Sequence, residues 1–272
     1  MEVVIIGSGN VATHLGLALK NKGITIKQVY SKNPVNAETL ATKLDTTSTS
    51  DIAKIYNEAD IYFYALKDSA LRGILKKIKM PSGIQVHTGG TIPMSEFEGF
   101  TARFGVFYPL QTFSIDKPVD FSNIPICIEA SNFEVQTVLA DLADLISTKH
   151  YLVDSERRKK LHLAAVFACN FTNYMYDIAS EILVDAGVDF EIMYPLIDET
   201  TRKIKSITPF YAQTGPAVRM DSKTITRHLN LLNGKNNFKA IYKLLTQEIY
   251  KRHSPKSSST HLSSLRSYLT KK

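Results

Sequence analysis

Continuous apolar runs alternate with amphipathic segments through the first half of the chain. The run VVIIG (3–7) has no charged or hydroxyl position, as expected of a strand that is buried on both faces of a parallel sheet. Residues 11–20 follow it, with Val11, Leu15 and Leu19 at helical spacing. Further strands are predicted at 24–30, 61–66, 84–90, 103–110 and 124–130, and further helices at 34–44, 69–78 and 133–146. This alternation predicts an α/β fold with a Rossmann-like, doubly wound parallel sheet.

The pattern becomes all-helical further along the chain. A helix is predicted to begin near Asp154 and to end before Gly187. More helices are predicted at 190–206, 221–232 and 236–252, with no strand among them. We therefore expect an α/β domain over residues 1–153 and an all-α domain over residues 154–272, whose serine-rich end from Ser254 onwards is loosely ordered.

Composition narrows the class of protein. Apolar residues make up 44% of the chain, which is enough for a sizeable core. Cys127 and Cys169 lie in apolar runs and show no metal-ligand spacing, so we expect buried free thiols and no metal site. The sequence shows neither a signal peptide nor an apolar stretch of about 20 residues, so we expect a soluble, cytoplasmic protein without a membrane partner.

The net charge of +7 is concentrated at one end of the chain. Residues 201–272 hold 15 Lys and Arg residues against Asp221 and Glu248, whereas residues 1–200 carry a net negative charge. Such asymmetry is found in nucleic-acid-binding proteins. We favour the alternative, a solvated helical surface, because the basic residues are scattered at helical spacing; nucleic acid is not an expected partner.

A glycine-rich turn joins the first strand to the first helix. Gly7, Gly9 and Ala12 fit the pattern G-x-G-x-x-[GA], in which the glycines allow a tight turn and close approach of the backbone to a pyrophosphate. The free N–H groups at the start of the helix would face the phosphates. The alternative is a structural turn without a ligand. The predicted dinucleotide site consists of Gly7, Ser8, Gly9, Asn10, Val11 and Ala12, together with Ala65 and Leu66 at the end of the strand predicted at 61–66.

The end of the second strand indicates which dinucleotide binds. NAD sites usually place Asp or Glu there to accept a hydrogen bond from the ribose 2′-hydroxyl. Here Ser31 and Lys32 follow the strand, and the first acidic residue is Glu38. A hydroxyl and a lysine suit a 2′-phosphate, so the prediction is NADP(H); the alternative is an exposed Lys32 with no ligand.

Six segments of the chain resemble one family, in this order: GSGNVATHLGLAL, YSKN, VHTGGTIPM, GVFYPLQTFS, LHLAAVFACNFTNYM and TGPAVRMD. The family is regarded as NADP oxidoreductases and joins a Rossmann-like domain to a helical domain of unknown function. The layout is more distantly similar to pyrroline-5-carboxylate reductases, deazaflavin-dependent NADP reductases and 6-phosphogluconate-dehydrogenase-like proteins. The resemblance implies a nicotinamide cofactor, a small-molecule substrate and a homodimer built through the helical domain.

Two positions depart from the patterns of these relatives. Hydroxyacid dehydrogenases of the superfamily carry a catalytic lysine four residues before an asparagine; if Asn170 is that asparagine, Val166 takes the place of the lysine. Hydroxyacid oxidation is therefore disfavoured. Tyr108 stands before Pro109-Leu110-Gln111 where the family often has histidine, and a tyrosine can still donate a proton.

His87 is a first candidate for catalysis, because it ends a strand whose loop should face the cofactor. It could act as a general acid, and the backbone of Thr88-Gly89-Gly90 could bind an anionic substrate group. The alternative is a histidine that satisfies a structural turn. The TGPA segment at 214–217 also has two interpretations. It is either a loop near the substrate or a connection between helices.

Polar residues on one face of an apolar helix supply the other candidates for the catalytic site. Residues 160–175 are almost wholly apolar and should be buried on most sides, yet His162, Asn170, Asn173 and Asp177 share one helical face. Either the four form a structural network, or they face the substrate; we favour the second, with His162 as a proton donor. The sequence thus predicts a reductase or dehydrogenase that transfers hydride between NADP(H) and a small C=N or C=O substrate, the alternative being a non-catalytic NADP-binding sensor or scaffold.

Overall fold

The computed structural model describes residues 1–254, and the predicted loose tail lies outside the described residues apart from Ser254. The chain forms two compact units, Met1–Thr172 and a second that begins at Asn173. The division falls later than the predicted domain boundary after residue 153. The helix that starts at Ser155 contacts the first unit through Arg158 and Leu161.

The first unit is built on one eight-stranded sheet in the order β3-β2-β1-β4-β5-β6-β7-β8. The strands are β1 (Glu2–Ile6), β2 (Thr25–Tyr30), β3 (Thr47–Thr49), β4 (Ile61–Tyr64), β5 (Ile84–His87), β6 (Phe104–Pro109), β7 (Ile126–Ala130) and β8 (His150–Leu152). All pairs are parallel except β6–β7, which is antiparallel. The prediction of a Rossmann-like, mostly parallel sheet is therefore confirmed. Residues 110–125, all of them described, contain no α-helix to carry the chain across the sheet.

Helices cover the sheet and make up the second unit. They are α1 (Asn10–Asn21), α2 (Pro34–Leu44), α3 (Leu71–Leu75), α4 (Phe133–Ile146), α5 (Ser155–Ala165), a π-helix (Val166–Phe171), α6 (Thr172–Asp185), α7 (Tyr194–Ser206), α8 (Pro209–Ala212), α9 (Pro216–Arg219), α10 (Ser222–Leu231) and α11 (Asn236–His253). Among residues 1–254, no helix has the length and apolar character needed to cross a membrane.

Both faces of the sheet are buried, as the unbroken apolar runs predict. Val3 and Ile5 belong to the core beneath α1, α2 and α4. Val4 and Ile6 point to the opposite core, which includes Tyr62 and neighbouring aromatic side chains. Because successive strand residues face opposite sides, β1 is held from both directions and its carboxyl end is fixed in place.

The predicted burial of residues 160–175 is not found within one chain. Leu163 is 57% exposed, Phe167 62% and Phe171 49%, on α5 and the π-helix. Cys127 is buried, but Cys169 is exposed, which corrects the expectation of two buried thiols. Leu163, Phe167 and Phe171 therefore form an exposed apolar surface along α5 and the π-helix.

Candidate functional site

The turn after β1 has the geometry of a phosphate-binding loop. Gly7 has φ +126°, and a Cβ there would overlap with the carbonyl oxygen of Ala65, so only glycine fits. A Cβ at Gly9 would meet nothing within 4 Å among the described residues, so the space above it is open. No side chain of the described residues caps the N-terminus of α1, which leaves its first N–H groups free for an anion. The residues present therefore fit a pyrophosphate.

The neighbouring strand end fits a 2′-phosphate. The Ser8 hydroxyl donates to Ser31 Oγ at 2.8 Å, which ties the turn to the end of β2. Lys32 is exposed beside this pair. The carboxylate of Glu38 accepts from Ser48 at 2.6 Å and so is engaged elsewhere. The end of β2 thus presents two hydroxyls and a lysine to a ligand.

The segment over residues 111–119, called the strap below, contacts the start of α1. Asn10 Nδ2 donates to the carbonyl oxygen of Phe113 at 2.6 Å. His14 Nε2 lies 2.9 Å from the carbonyl oxygen of Ser114, and its ring stacks on Phe113. Sequence patterns do not reveal these contacts, since their partners are about a hundred residues apart along the chain.

His87 is fully buried at the end of β5 and serves the backbone of its own loop. Its Nδ1 accepts from the Gly89 N–H at 3.1 Å, and its ring stacks on Phe97. Burial, with a smaller contribution from the Arg158 guanidinium, lowers the pKa of His87 to about 3, against the opposing effect of the Pro93 carbonyl. The ring is therefore neutral at physiological pH and unsuited to be a general acid.

The Thr88-Gly89-Gly90 backbone is also committed within the protein. The Thr88 N–H donates to the Tyr64 carbonyl at 3.3 Å, and the Gly89 N–H donates to His87. A Cβ at Gly90 would overlap with the ring of His162. The loop thus acts as a platform for His162, and two of its three N–H groups are unavailable for the expected substrate anion.

Tyr108 and His162 form a hydrogen-bonded pair beside that platform. The Tyr108 hydroxyl lies 2.9 Å from His162 Nδ1, although the two residues are 54 positions apart. Tyr108 is 9% exposed, and its burial raises its pKa to about 12, so its hydroxyl keeps the proton at physiological pH. With a neutral imidazole, Tyr108 donates to Nδ1 and the ring carries its own proton on Nε2.

A buried ion pair lies one helical turn before His162. Arg158 has no exposed surface and pairs through Nη1 with Glu129, at the end of β7. Its Nη2 donates to the carbonyl oxygen of Ile92 at 2.5 Å. The Ser155 hydroxyl links Glu129 (2.8 Å) to the Met94 N–H (2.9 Å). This cluster was not predicted, because its charged residues stand singly in a strand and in a helix and only the fold brings them together.

Two further candidates lie outside these contacts. Asn170 is exposed on the π-helix. In the second unit, Asp221 caps α10 by accepting from Thr224 N at 3.1 Å, which favours the interpretation of the TGPA segment as a connection between helices.

Two families match successive parts of the chain. Residues 2–86 match the family described as NADP oxidoreductase coenzyme F420-dependent, and residues 124–249 match a domain of unknown function, DUF2520. No protein with curated annotation matches the sequence.

Solved structures decide the family. The crystal structure of a "putative NADP oxidoreductase" from Bacteroides fragilis is 45% identical over 92% of this chain and 98% of that one, with a TM-score of 0.86. The chain belongs to this family of NADP oxidoreductases. The family and its cofactor class, both expected from the sequence, are thereby confirmed.

More distant structures share the fold of this NADP oxidoreductase. An imine reductase from Myxococcus stipitatus in complex with NADP+ is 13% identical over 98% of this chain and 100% of that one, with a TM-score of 0.71. A 1-pyrroline-5-carboxylate reductase from Streptococcus pyogenes is 14% identical over 94% and 99% of the two chains, with a TM-score of 0.63. At these identities the likeness shows a common fold.

Proposed function

We propose that this NADP oxidoreductase is a reductase of a small substrate with a C=N or C=O bond. The observation that carries the proposal is the Tyr108–His162 hydrogen bond of 2.9 Å, on the same edge of the sheet as the glycine-rich turn. The imine reductase and pyrroline-5-carboxylate reductase among the structural neighbours support the choice of bond.

The cofactor would be held by residues of the first unit. The open backbone at Gly9 and the first turn of α1 would hold the pyrophosphate, while Ser31 and Lys32 would hold the 2′-phosphate. Ala65 and Leu66 follow β4 and form the wall next to Gly7. NADPH, when bound, supplies the hydride for the reduction.

The chain's own residues would supply the proton and orient the substrate. Reduction of C=N or C=O needs one proton for the nitrogen or oxygen atom. The Tyr108–His162 pair holds two exchangeable protons, on the tyrosine oxygen and on the imidazole, and His162 is only half-buried. Asn170 is proposed to orient the substrate. His87 keeps a supporting role through its bond to the Gly89 N–H.

We further propose that the protein is a homodimer. The exposed apolar side chains of Leu163, Phe167 and Phe171 support an interface along α5 and the π-helix. Such a surface is unusual for a protein that works as a monomer.

The proposal is tested by following NADPH oxidation with a panel of cyclic imines, ketones and 2-keto acids. We expect turnover with at least one C=N or C=O class, and Tyr108→Phe and His162→Gln should each lower kcat about 10²-fold or more. NADPH affinity, measured by fluorescence, and Tm should stay near wild type. Tyr151→Phe, an exposed tyrosine on β8, is the matched control.

Two results would contradict this function. NADPH binding without turnover on any member of the panel would favour a non-catalytic sensor or scaffold. A collapse of Tm in the Tyr108 or His162 variants would mean that the pair is a structural contact.

A further inference from the structure

One buried arginine joins three separate parts of the first unit. Arg158, in α5, contacts Glu129 at the end of β7 and the Ile92 carbonyl in the loop after β5. The Ser155 hydroxyl, three residues earlier on α5, receives the Met94 N–H and donates to Glu129. The loop is therefore fastened to α5 at two backbone positions, Ile92 and Met94.

Arg158 and His162, one member of the proposed proton-donating pair, lie on the same helix. Arg158 and His162 are four residues apart in α5, so their side chains leave one face of the helix in successive turns. The His162 ring rests against Gly90, which belongs to the loop that Arg158 fastens. Two side chains of α5 therefore contact this loop. Arg158 binds the Ile92 carbonyl, and the ring of His162 lies against Gly90.

We propose that Arg158 is a positioning residue, which fixes the loop over residues 89–94 to α5 and thereby holds His162 within hydrogen-bond distance of Tyr108. The effect on turnover rests on the proposed function, whereas the effect on His162 does not. Without the guanidinium fork, the loop loses its bond at Ile92, and Gly90 no longer limits the ring of His162. The Tyr108–His162 bond then lengthens or breaks while the fold persists.

A fork is needed for this role, which explains why the residue is arginine. One nitrogen pairs with a carboxylate while another donates to a backbone carbonyl in a different direction. The three N–H donors of a lysine ammonium all sit on one nitrogen, so lysine lacks the two separate, rigidly spaced nitrogens that make these contacts. Glu129 compensates the charge, so that the buried cation does not remain unpaired.

The direct test is the 15N NMR signal of the His162 side chain, assigned with His162→Gln. Tyr108→Phe gives the signal of a ring without its partner. We expect Arg158→Lys, and the charge-neutral double variant Glu129→Gln/Arg158→Met, to move the His162 signal most of the way to the Tyr108→Phe position. Arg157→Met, a change at an exposed arginine on the same helix, should leave it unchanged.

These variants distinguish a positioning role of Arg158 from a purely structural role. The double variant leaves no buried unpaired charge, so it should fold even where Arg158→Met does not. If the His162 signal of either folded variant stays at the wild-type position, Arg158 is a purely structural residue and the proposal is overturned, whatever happens to Tm.

Kinetics add a second readout where a substrate is found. Arg158→Lys should lower kcat about tenfold or more while the KM for NADPH stays within twofold of wild type, because the glycine-rich turn is untouched. Loss of both parameters together would contradict a positioning role. If wild type turns over no substrate, the proposed function fails, and the NMR result still decides the role of Arg158.

Discussion

Lys32 is exposed between β2 and α2, next to the hydrogen bond that joins Ser8 to Ser31. An exposed lysine adds little to the stability of the fold, so its effect should be confined to ligands. Its position after β2 is the one at which NAD-binding proteins carry an acid.

Lys32→Asp should weaken NADPH binding by roughly 1–3 kcal/mol, because a charge-assisted bond to the 2′-phosphate is lost and repulsion replaces it. NADH binding should change much less. Fluorescence titration with both cofactors measures the difference, and Lys43→Asp at the far end of α2 is the matched control. Equal losses for the two cofactors would show that Lys32 does not contact the phosphate.

His87 makes the stability of the first unit depend on acid. The pKa of His87 is lowered from 6.5 to about 3 in the folded protein. The stability that depends on the neutral, buried ring is therefore fully present above pH 6.5. This contribution is lost as the pH falls from 6.5 toward 3. Over that range the free energy of unfolding should drop by up to about 1.4 kcal/mol per pH unit from this group.

Urea denaturation at several pH values tests this, with His87→Asn as the comparison. The asparagine oxygen can still accept from the Gly89 N–H but does not titrate. Wild type should lose more stability than the variant between pH 6.5 and 4, and parallel curves would contradict the buried neutral state.

Single site residues could be predicted from the sequence where the structural requirement involves only neighbouring residues. Gly7 could be found because a tight turn demands its positive φ. Tyr108 and His162 were found separately, but their pairing spans 54 residues and depends on the sheet order. Arg158 was missed, since a charged residue in a helix normally faces solvent and only the fold shows it buried.

The turn between β1 and α1 is the element proposed to hold the cofactor, and its two glycines differ in their surroundings. Gly7 is required by its backbone conformation and by the nearby Ala65 carbonyl, whereas Gly9 has an ordinary negative φ and open space above it. We therefore expect Gly7 to affect the stability of the fold and Gly9 to affect ligand binding.

Alanine substitutions should separate these effects. Gly7→Ala should lower the free energy of unfolding by about 1–3 kcal/mol through backbone strain, with a further loss from the overlap at Ala65. Gly9→Ala should leave Tm near wild type and weaken NADPH binding, since its methyl group occupies the space of the pyrophosphate. Thermal denaturation and cofactor titration of both variants check this; unchanged NADPH affinity in Gly9→Ala would contradict the phosphate site.

Long elements were predicted well, and short ones were not. The bounds of α2 and α4 agree with the prediction at both ends, because each has a clear cap and an apolar face. The three-residue strands β3 and β8 carry too few positions to show a pattern. The direction of β7 is set by pairing with β6, which apolar runs do not encode.

At the scale of the whole molecule, the exposed apolar side chains of α5 and the π-helix predict association. Phe167 is 62% exposed, and a phenylalanine on a solvated surface gains much from burial in a partner. We expect wild type to be a dimer at micromolar concentration by light scattering.

Phe167→Asp should shift the protein toward monomer without unfolding it, because a carboxylate cannot be buried unpaired in an apolar interface. Phe133→Asp, at an 81% exposed phenylalanine at the start of α4, should leave the dimer intact. A wild-type protein that is monomeric in this range would refute the interface.

The strap connects the helix start after the glycine-rich turn to a distant part of the chain. Asn10 and His14 bind carbonyl groups of residues 113 and 114. A growing polypeptide leaves the ribosome from its N-terminus, so the glycine-rich turn emerges well before the segment that covers it. During synthesis, the start of α1 therefore stays uncovered until Phe113 and Ser114 have been added to the chain. The contacts that hold the proposed phosphate-binding turn to the strap form only after the turn itself has been made.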